Sequence, residues 1–271
     1  MKLEDIGFYT LNDFRAATAS ASSPLHRCEL VLTSRCNFHC PYCRSIGGVD
    51  LDFEEAANLV RTWSAGGLRN IRFSGGEPTL YPRLPELLTL AKNLGVDRIA
   101  ISTNGSANRD EYEHLIACGA NDFSVSLDAC CAEDGDRMAG GIKGSFAVVT
   151  ANIRWLSQRT YVTVGVVLTD DNLPKLNDII SFADSLGVSD IRIIPATQNG
   201  NRFHGVQVDK ELIVDRPILR YRINNIRQSH PVRGLNEGDS HRCGLVLDDI
   251  AVNQGKHYPC IIYMRESGKA I

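Results

Sequence analysis

Long apolar runs are missing from this chain of 271 residues. No hydrophobic stretch approaches the ~18–20 residues that cross a bilayer. The opening MKLEDIGFYTLNDFRAATASASS carries no apolar signal core. The expectation is a cytoplasmic protein with no membrane partner. Blocks of like charge are missing too, and the net charge is −3. That argues against a nucleic-acid-binding surface and leaves small substrates open. What remains is an ordinary globule, 43% hydrophobic and 23% charged, able to bury a sizeable core. The length fits one large α/β domain, or one domain with a small appendage.

Cysteine is not scarce: there are nine. In a reducing compartment they are not expected to form a disulfide framework. Several fit as small buried hydrophobes, among them Cys28 and Cys118. Three others crowd into TSRCNFHCPYC as Cys36, Cys40 and Cys43. A packed core does not need that spacing.

Strand-like and helix-like stretches alternate. Apolar β-rich runs occur at Glu29–Thr33, Asn70–Ser74, Arg98–Ser102, Phe123–Leu127, Tyr161–Leu168 and Asp190–Ile194. Each reads as nearly continuous in apolar character, the pattern of buried parallel strands. Helical stripes fill the gaps. Asp52 and Glu55 form a capping box ahead of Phe53, Ala56, Val60 and Trp63. Leu84–Leu94, Tyr112–Ile116 and Leu176–Leu186 each stop at a glycine. Ser145 is the expected cap of a helix through Leu156, and a last helix is expected over about Lys210–Ser229. Such β-α repetition predicts a parallel sheet with right-handed crossovers. Six units fall short of the eight of a closed barrel, so a doubly wound sheet and an open partial barrel both stand. In either, function gathers where strands end and helices begin.

Polar or metal-binding groups follow every expected strand. The cysteine loop follows the first. Ser74-Gly75-Gly76-Glu77 follows the second, Ser102-Thr103-Asn104-Gly105 the third and Ser126-Leu127-Asp128 the fourth. Structural zinc prefers four ligands in two paired motifs. Three thiolates on one loop suit a cubane iron–sulfur cluster that keeps one iron free of protein. Gly75-Gly76 fits a tight turn, and equally a backbone that a ligand approaches closely. The Glu77 carboxylate is suited to accept from an ammonium group. The serine, asparagine and aspartate positions fit capping and turn chemistry as well as they fit ligand binding.

Cys36-x3-Cys40-x2-Cys43, FSGGEP, STNG and SLD, each in its own unit, resemble the signature of the radical S-adenosylmethionine (SAM) superfamily. The resemblance covers about residues 28–200. It implies a partial (β/α)6 TIM-like barrel with a small C-terminal β-hairpin extension. It also implies an enzyme in which Cys36, Cys40 and Cys43 bind a [4Fe–4S] cluster and SAM takes the fourth iron. A reduced cluster then breaks the bond from sulfur to the 5′ carbon, and the 5′-deoxyadenosyl radical takes hydrogen from a substrate. The implied SAM contacts are Tyr42 beside the adenine and Ser74, Gly75, Gly76 and Glu77 at the amino group. Ser102, Asn104, Ser126 and Asp128 fall to the ribose and carboxylate, and Val166, Ile194 and Ala196 to the adenine. A one-electron reductant such as flavodoxin or ferredoxin is the implied partner.

The tail places Cys243 and Cys260 around LVLDDIAVNQGKHYP, which reads as a hairpin with a cysteine at each end. This resembles the opening of a SPASM or twitch extension, which holds auxiliary iron–sulfur clusters, although the later cysteines of those extensions are not in the sequence. Cys130 or Cys131 completing such a site, a Cys2His2 zinc site with His241 and His257, and a metal-free hairpin are the alternatives. The division expected is an N-terminal extension (1–27), the barrel (28–230) and the C-terminal extension (231–271). The tail leans toward a peptide or protein substrate. A small molecule is the alternative, and a non-enzymatic iron–sulfur or zinc protein is a reading of another class. Substrate contacts are expected from the loop Cys130–Gly144 and from Gln198, Asn199, Asn201, Arg202 and His204, where Arg202 suits a carboxylate or phosphate.

Overall fold

A computed structural model describes residues 25–43, 47–196, 206–227, 249–267 and 269–271. Along the chain come β1 (Arg27–Thr33), α1 (Phe53–Ala65), β2 (Asn70–Gly75), α2 (Leu84–Asn93), β3 (Arg98–Thr103) and α3 (Arg109–Ala117). There follow β4 (Asp122–Ser126), α4 (Ala132–Met138), α5 (Ser145–Ser157), β5 (Tyr161–Leu168), α6 (Leu176–Ser185) and β6 (Asp190–Pro195). The last elements are α7 (Lys210–Ile213), α8 (Pro217–Arg227), β7 (Asp249–Asn253), β8 (Lys256–Tyr258) and α9 (Ile261–Ser267). The sheet order is β6-β5-β4-β3-β2-β1-β7-β8. Strands β1 to β6 pair in parallel, so the expected partial (β/α)6 barrel forms, with the hairpin beside it.

The strands are not continuously apolar; they alternate. On one face, Leu30, Leu32, Ile71, Phe73, Ile99, Ile101, Phe123, Val125, Val164 and Ile191 are buried in a single core shared with the helices. The other face carries Arg27, Glu29, Arg72, Ser74, Arg98, Ser102, Ser124, Ser126 and Arg192, which line a cavity. Side chains of a strand point alternately to its two faces. The outer layer is therefore hydrophobic packing, and the inner face is a polar lumen. At the base of the lumen Arg98 Nε donates to Asp122 Oδ2 at 2.7 Å, with both side chains buried.

Four local expectations are corrected. Gly144, not Ser145, is the N-cap residue of α5, and the Asp136 carboxylate does the capping, accepting from Gly144 N, Phe146 N and Ser145 Oγ. The stretch after β4 is not all loop but holds α4. The helix expected over Lys210–Ser229 is broken into α7 and α8, because Pro217 has no N–H and opens a new helix instead. Asp190, at the base of β6, then accepts from Ile218 N at 2.8 Å and Leu219 N at 3.3 Å, which ties α8 to the barrel. Finally, Cys260 lies beyond the hairpin, just before α9, while Cys243 and His241 lie outside the described residues.

The hairpin adds to the barrel sheet. Its first strand, β7, runs parallel to β1 with Cys28 opposite Ile250 and Leu30 opposite Val252. The turn is Gln254-Gly255, both at positive φ (50° and 72°), as a two-residue type I′ connection requires. Val31, Ala251, Tyr258 and Met264 form a second small core there. The His257 ring meets Trp63 of α1 edge-on, 6.1 Å between centroids.

Asp122→Ala leaves the buried Arg98 charge without its carboxylate. It is expected to cost about 3–5 kcal/mol of unfolding free energy. Urea titration followed by circular dichroism measures this, and a loss below about 1 kcal/mol would show that the pair is not structural.

Candidate active site at the strand ends

The cysteine loop is held at its root by backbone. Gly76 N donates to Thr33 O at 2.7 Å and Glu77 N to Arg35 O at 2.8 Å. A Cβ on Gly75 would run into the Thr33 carbonyl oxygen, and one on Gly76 into that of Arg35. Gly75 also sits at φ 151°, which side chains rarely allow. The partner that approaches these glycines is thus the chain's own segment leading into Cys36. A side-chain clamp reinforces the root. Asp50 accepts from Thr33 Oγ1 at 2.5 Å and from Arg35 Nη2 at 2.6 Å, and Arg35 also reaches Leu80 O at 2.8 Å. The far side of the loop leans on the segment after α4, where His39 N donates to Ala139 O at 3.1 Å.

Within the loop, the Tyr42 hydroxyl donates to Asp128 Oδ2, and Asp128 Oδ1 accepts from Val167 N at 2.6 Å. Tyr42 is thereby fixed to β5 through the end of β4. Burial pushes the Asp128 carboxyl up to about 6, against those two hydrogen bonds. Burial pushes the Cys40 thiol up to about 11 and raises that of Cys36. Burial thus favours the neutral form of these two thiols, and metal binding would draw on their thiolates.

Cys36, Cys40, Tyr42, Cys43, Ser74, Gly75, Gly76, Ser102, Asn104, Ser126, Asp128 and Ile194 all line one cavity of about 400 Å³. Residues far apart in sequence thus meet at one rim. Asn104 is committed on one side, donating to Asn37 Oδ1 at 2.8 Å and lying 3.8 Å from Cys36 Sγ. Ser74 Oγ donates to Glu29 Oε1 at 2.6 Å.

Three expected contacts are not in that cavity. Glu77 is fully buried. Its carboxylate accepts from Thr79 N, Thr79 Oγ1, Thr103 Oγ1 and Asn104 N, at 2.6–3.2 Å. Burial raises its pKa, and the hydrogen bonds oppose that. It clamps the ends of β2 and β3 together. Val166 is buried in the outer core, because its neighbour Val167 holds the lumen-facing position. Ala196 lies past β6, its N–H bonded to Leu168 O at 2.8 Å, and is not among the lining residues.

Elsewhere, Cys260 is buried with Tyr263 N directed at its sulfur at 3.4 Å. Cys130 is half-buried against the core, and Cys131 Sγ donates to Asp134 Oδ2 at 3.4 Å. Gln198, Asn199, Asn201, Arg202 and His204 lie outside the described residues. The sequence reading missed Asp50, Arg35 and Val167. Only Asp50 had a visible signal, as a carboxylate just before the α1 capping box.

Gly76→Ala must push back the Arg35 carbonyl. Overpacking of this kind costs about 1–3 kcal/mol. The expected result is a lower urea midpoint together with less iron retained after anaerobic reconstitution. Glu77→Ala should lower stability at least as much, by orphaning buried donors, whereas Glu77→Gln should recover part of the loss.

Residues 30–183 match the family model of the radical SAM superfamily. Among curated proteins, the chain is 36% identical over 105 residues to a GTP 3',8-cyclase of Chlorobaculum tepidum, covering 37% of this chain and 32% of that one. It is 30% identical over 170 residues to a PqqA peptide cyclase of Rhodopseudomonas palustris, covering 60% and 45%. The matched part is thus about a third to a half of these relatives' length. Among solved structures, Streptococcus suis SuiB bound to S-adenosylmethionine superimposes with a TM-score of 0.66 at 15% identity, covering 92% of this chain and 63% of that one. At that identity the likeness shows the fold alone. The family's cofactors are a [4Fe–4S] cluster and SAM, and no described helix is long and apolar enough to cross a membrane. With more than half its residues inside the family model, the chain belongs to the radical SAM superfamily.

Proposed function

We propose that Cys36, Cys40 and Cys43 hold three irons of the cluster, that SAM lies beside them in the lumen, and that the substrate is a small molecule taken into the barrel. The observation that carries this is the single cavity. The three thiols, the strand-end polar groups and the polar inner faces of the strands all open into it. The residues fit the cofactors. Three lumen-facing thiols on one loop suit a larger group with one corner left open. When bound, the cluster and SAM supply the 5′-deoxyadenosyl radical that takes a hydrogen atom from substrate.

The chain's own residues bind and orient. Gly75 and Gly76 border the cavity at the loop root, where the methionine end would lie. Ser102, Asn104, Ser126 and Asp128 stand where the ribose and carboxylate fall, and Tyr42 and Ile194 where the adenine does. Asp128 keeps Tyr42 fixed, and Glu77 positions Asn104 through its N–H. Phe38, Met138 and Val149 add apolar wall to the lumen beside the cysteine loop. An outside one-electron reductant of the flavodoxin or ferredoxin class is required. The curated relatives include one named for a nucleotide and one named for a peptide, so similarity supports both substrate classes. A lumen lined by the polar and charged side chains of the strands favours the small molecule.

Anaerobic protein given iron, sulfide, SAM and a strong reductant is expected to release 5′-deoxyadenosine. Cys40→Ala is expected to lose both the cluster absorbance and the product. Iron-loaded wild type whose electron paramagnetic resonance signal ignores added SAM would overturn the assignment.

A further inference from the structure

Among the described residues, the lumen below the rim is lined by more guanidinium than carboxylate groups, which radical formation does not require. Six arginines line it, Arg27, Arg72, Arg98, Arg192, Arg222 and Arg265, against the carboxylates Glu29 and Asp128. Asp128 is committed to Tyr42 and Val167, and Arg98 is matched by Asp122. Arg72 and Arg192 have weaker partners. Arg72 Nη1 donates to Ser102 Oγ at 2.6 Å, and Arg192 Nη2 to Ser124 Oγ at 3.0 Å. Arg192 Nε is buried and meets no partner among the described residues. Glu29 stands opposite Arg72 in the β1–β2 register, yet it accepts from Ser74. Burial, followed by the neighbouring charges of Arg72 and Arg222, pulls the Arg192 guanidinium down to about 9. Like charges gathered in a low-dielectric pocket repel, and a multiply charged anion relieves that repulsion.

The position matters as much as the charge. Arg72 is two residues before Ser74 on β2, and Arg192 two before Ile194 on β6. One inward-facing layer, roughly 6–7 Å, separates them from the rim where the SAM contacts lie. An anion held there would place the rest of its molecule against the rim.

We infer that Arg72 and Arg192 form the substrate's anchoring site and that the substrate is a phosphorylated small molecule. A planar guanidinium fork matches phosphate oxygens. Several charges call for a group of more than one negative charge rather than a single carboxylate. The inference rests on the small-molecule reading above and sharpens it.

The test is equilibrium binding to the reconstituted full chain with SAM present, using inorganic tripolyphosphate, citrate and an uncharged nucleoside as probes. Tripolyphosphate is expected to bind, to weaken with added salt, and to outcompete citrate, while the nucleoside alone is expected not to bind. Arg192→Ala and Arg72→Gln should each weaken tripolyphosphate by roughly tenfold or more. Arg192→Lys should recover only part, because it keeps charge and loses the fork. Circular dichroism and uncoupled 5′-deoxyadenosine formation are followed in every variant. Citrate binding as tightly as tripolyphosphate would reassign the site to carboxylates and overturn the phosphate inference. So would tripolyphosphate that binds the variants as well as it binds wild type. Either result, with 5′-deoxyadenosine still formed, leaves the radical SAM reading standing. Loss of 5′-deoxyadenosine from wild type would instead sink that reading.

Discussion

The cysteine loop leaves β1 across a surface that has no side chains. Gly75 and Gly76 lie directly under the carbonyls of Thr33 and Arg35, and two backbone hydrogen bonds lock the strands' ends together. Everything nearer the chemistry is measured from that junction. Asp50 and Arg35 stiffen it from one side, and Ala139 receives the far end of the loop from the other. A loop on a rigid scaffold is the usual way to hold a reactive group where water must be kept away. Here the scaffold is two adjacent parallel strands, and the tightness of their contact leaves the loop root no room to shift.

The second constraint is the two-sidedness of the strands. Their outer faces pack Leu, Ile, Val and Phe against the helices, which is where burial stabilises the fold. Their inner faces are left to polar groups, each needing a partner because buried polar atoms are costly alone. Arg98 finds Asp122, Ser74 finds Glu29, and Asp128 finds Tyr42 and Val167. The lumen is thus a wired polar space and not a filled core, and the rim chemistry opens directly onto it.

The hairpin belongs to the same account. By pairing β7 with β1 it covers a strand edge that would otherwise expose unpaired backbone. Gln254 in its turn donates to Gly47 O at 2.8 Å, just after the cysteine loop. The tail, read in the sequence as a possible metal-bearing appendage, is placed in the structure as an added part of the barrel sheet. Its α9 brings Ile261 and Arg265 to the lumen wall.

By itself the sequence determined the order of strands and helices, the cysteine triad and the glycine–glutamate segment, because spacing and periodicity are local properties. Even the polar lumen was written there, in the alternation of NIRFS, RIAIS and DIRII, although those runs read at first as continuously apolar. Only the tertiary structure decided which way each polar group faces. Glu77 and Asp128 look alike as strand-end carboxylates. One is sealed inside a clamp of four donors, and the other borders the cavity. Val166 and Val167 differ by one step along a strand, and that step moves a side chain from the core to the lumen. Such choices depend on what neighbouring strands bring alongside, and those neighbours lie tens of residues away in the chain.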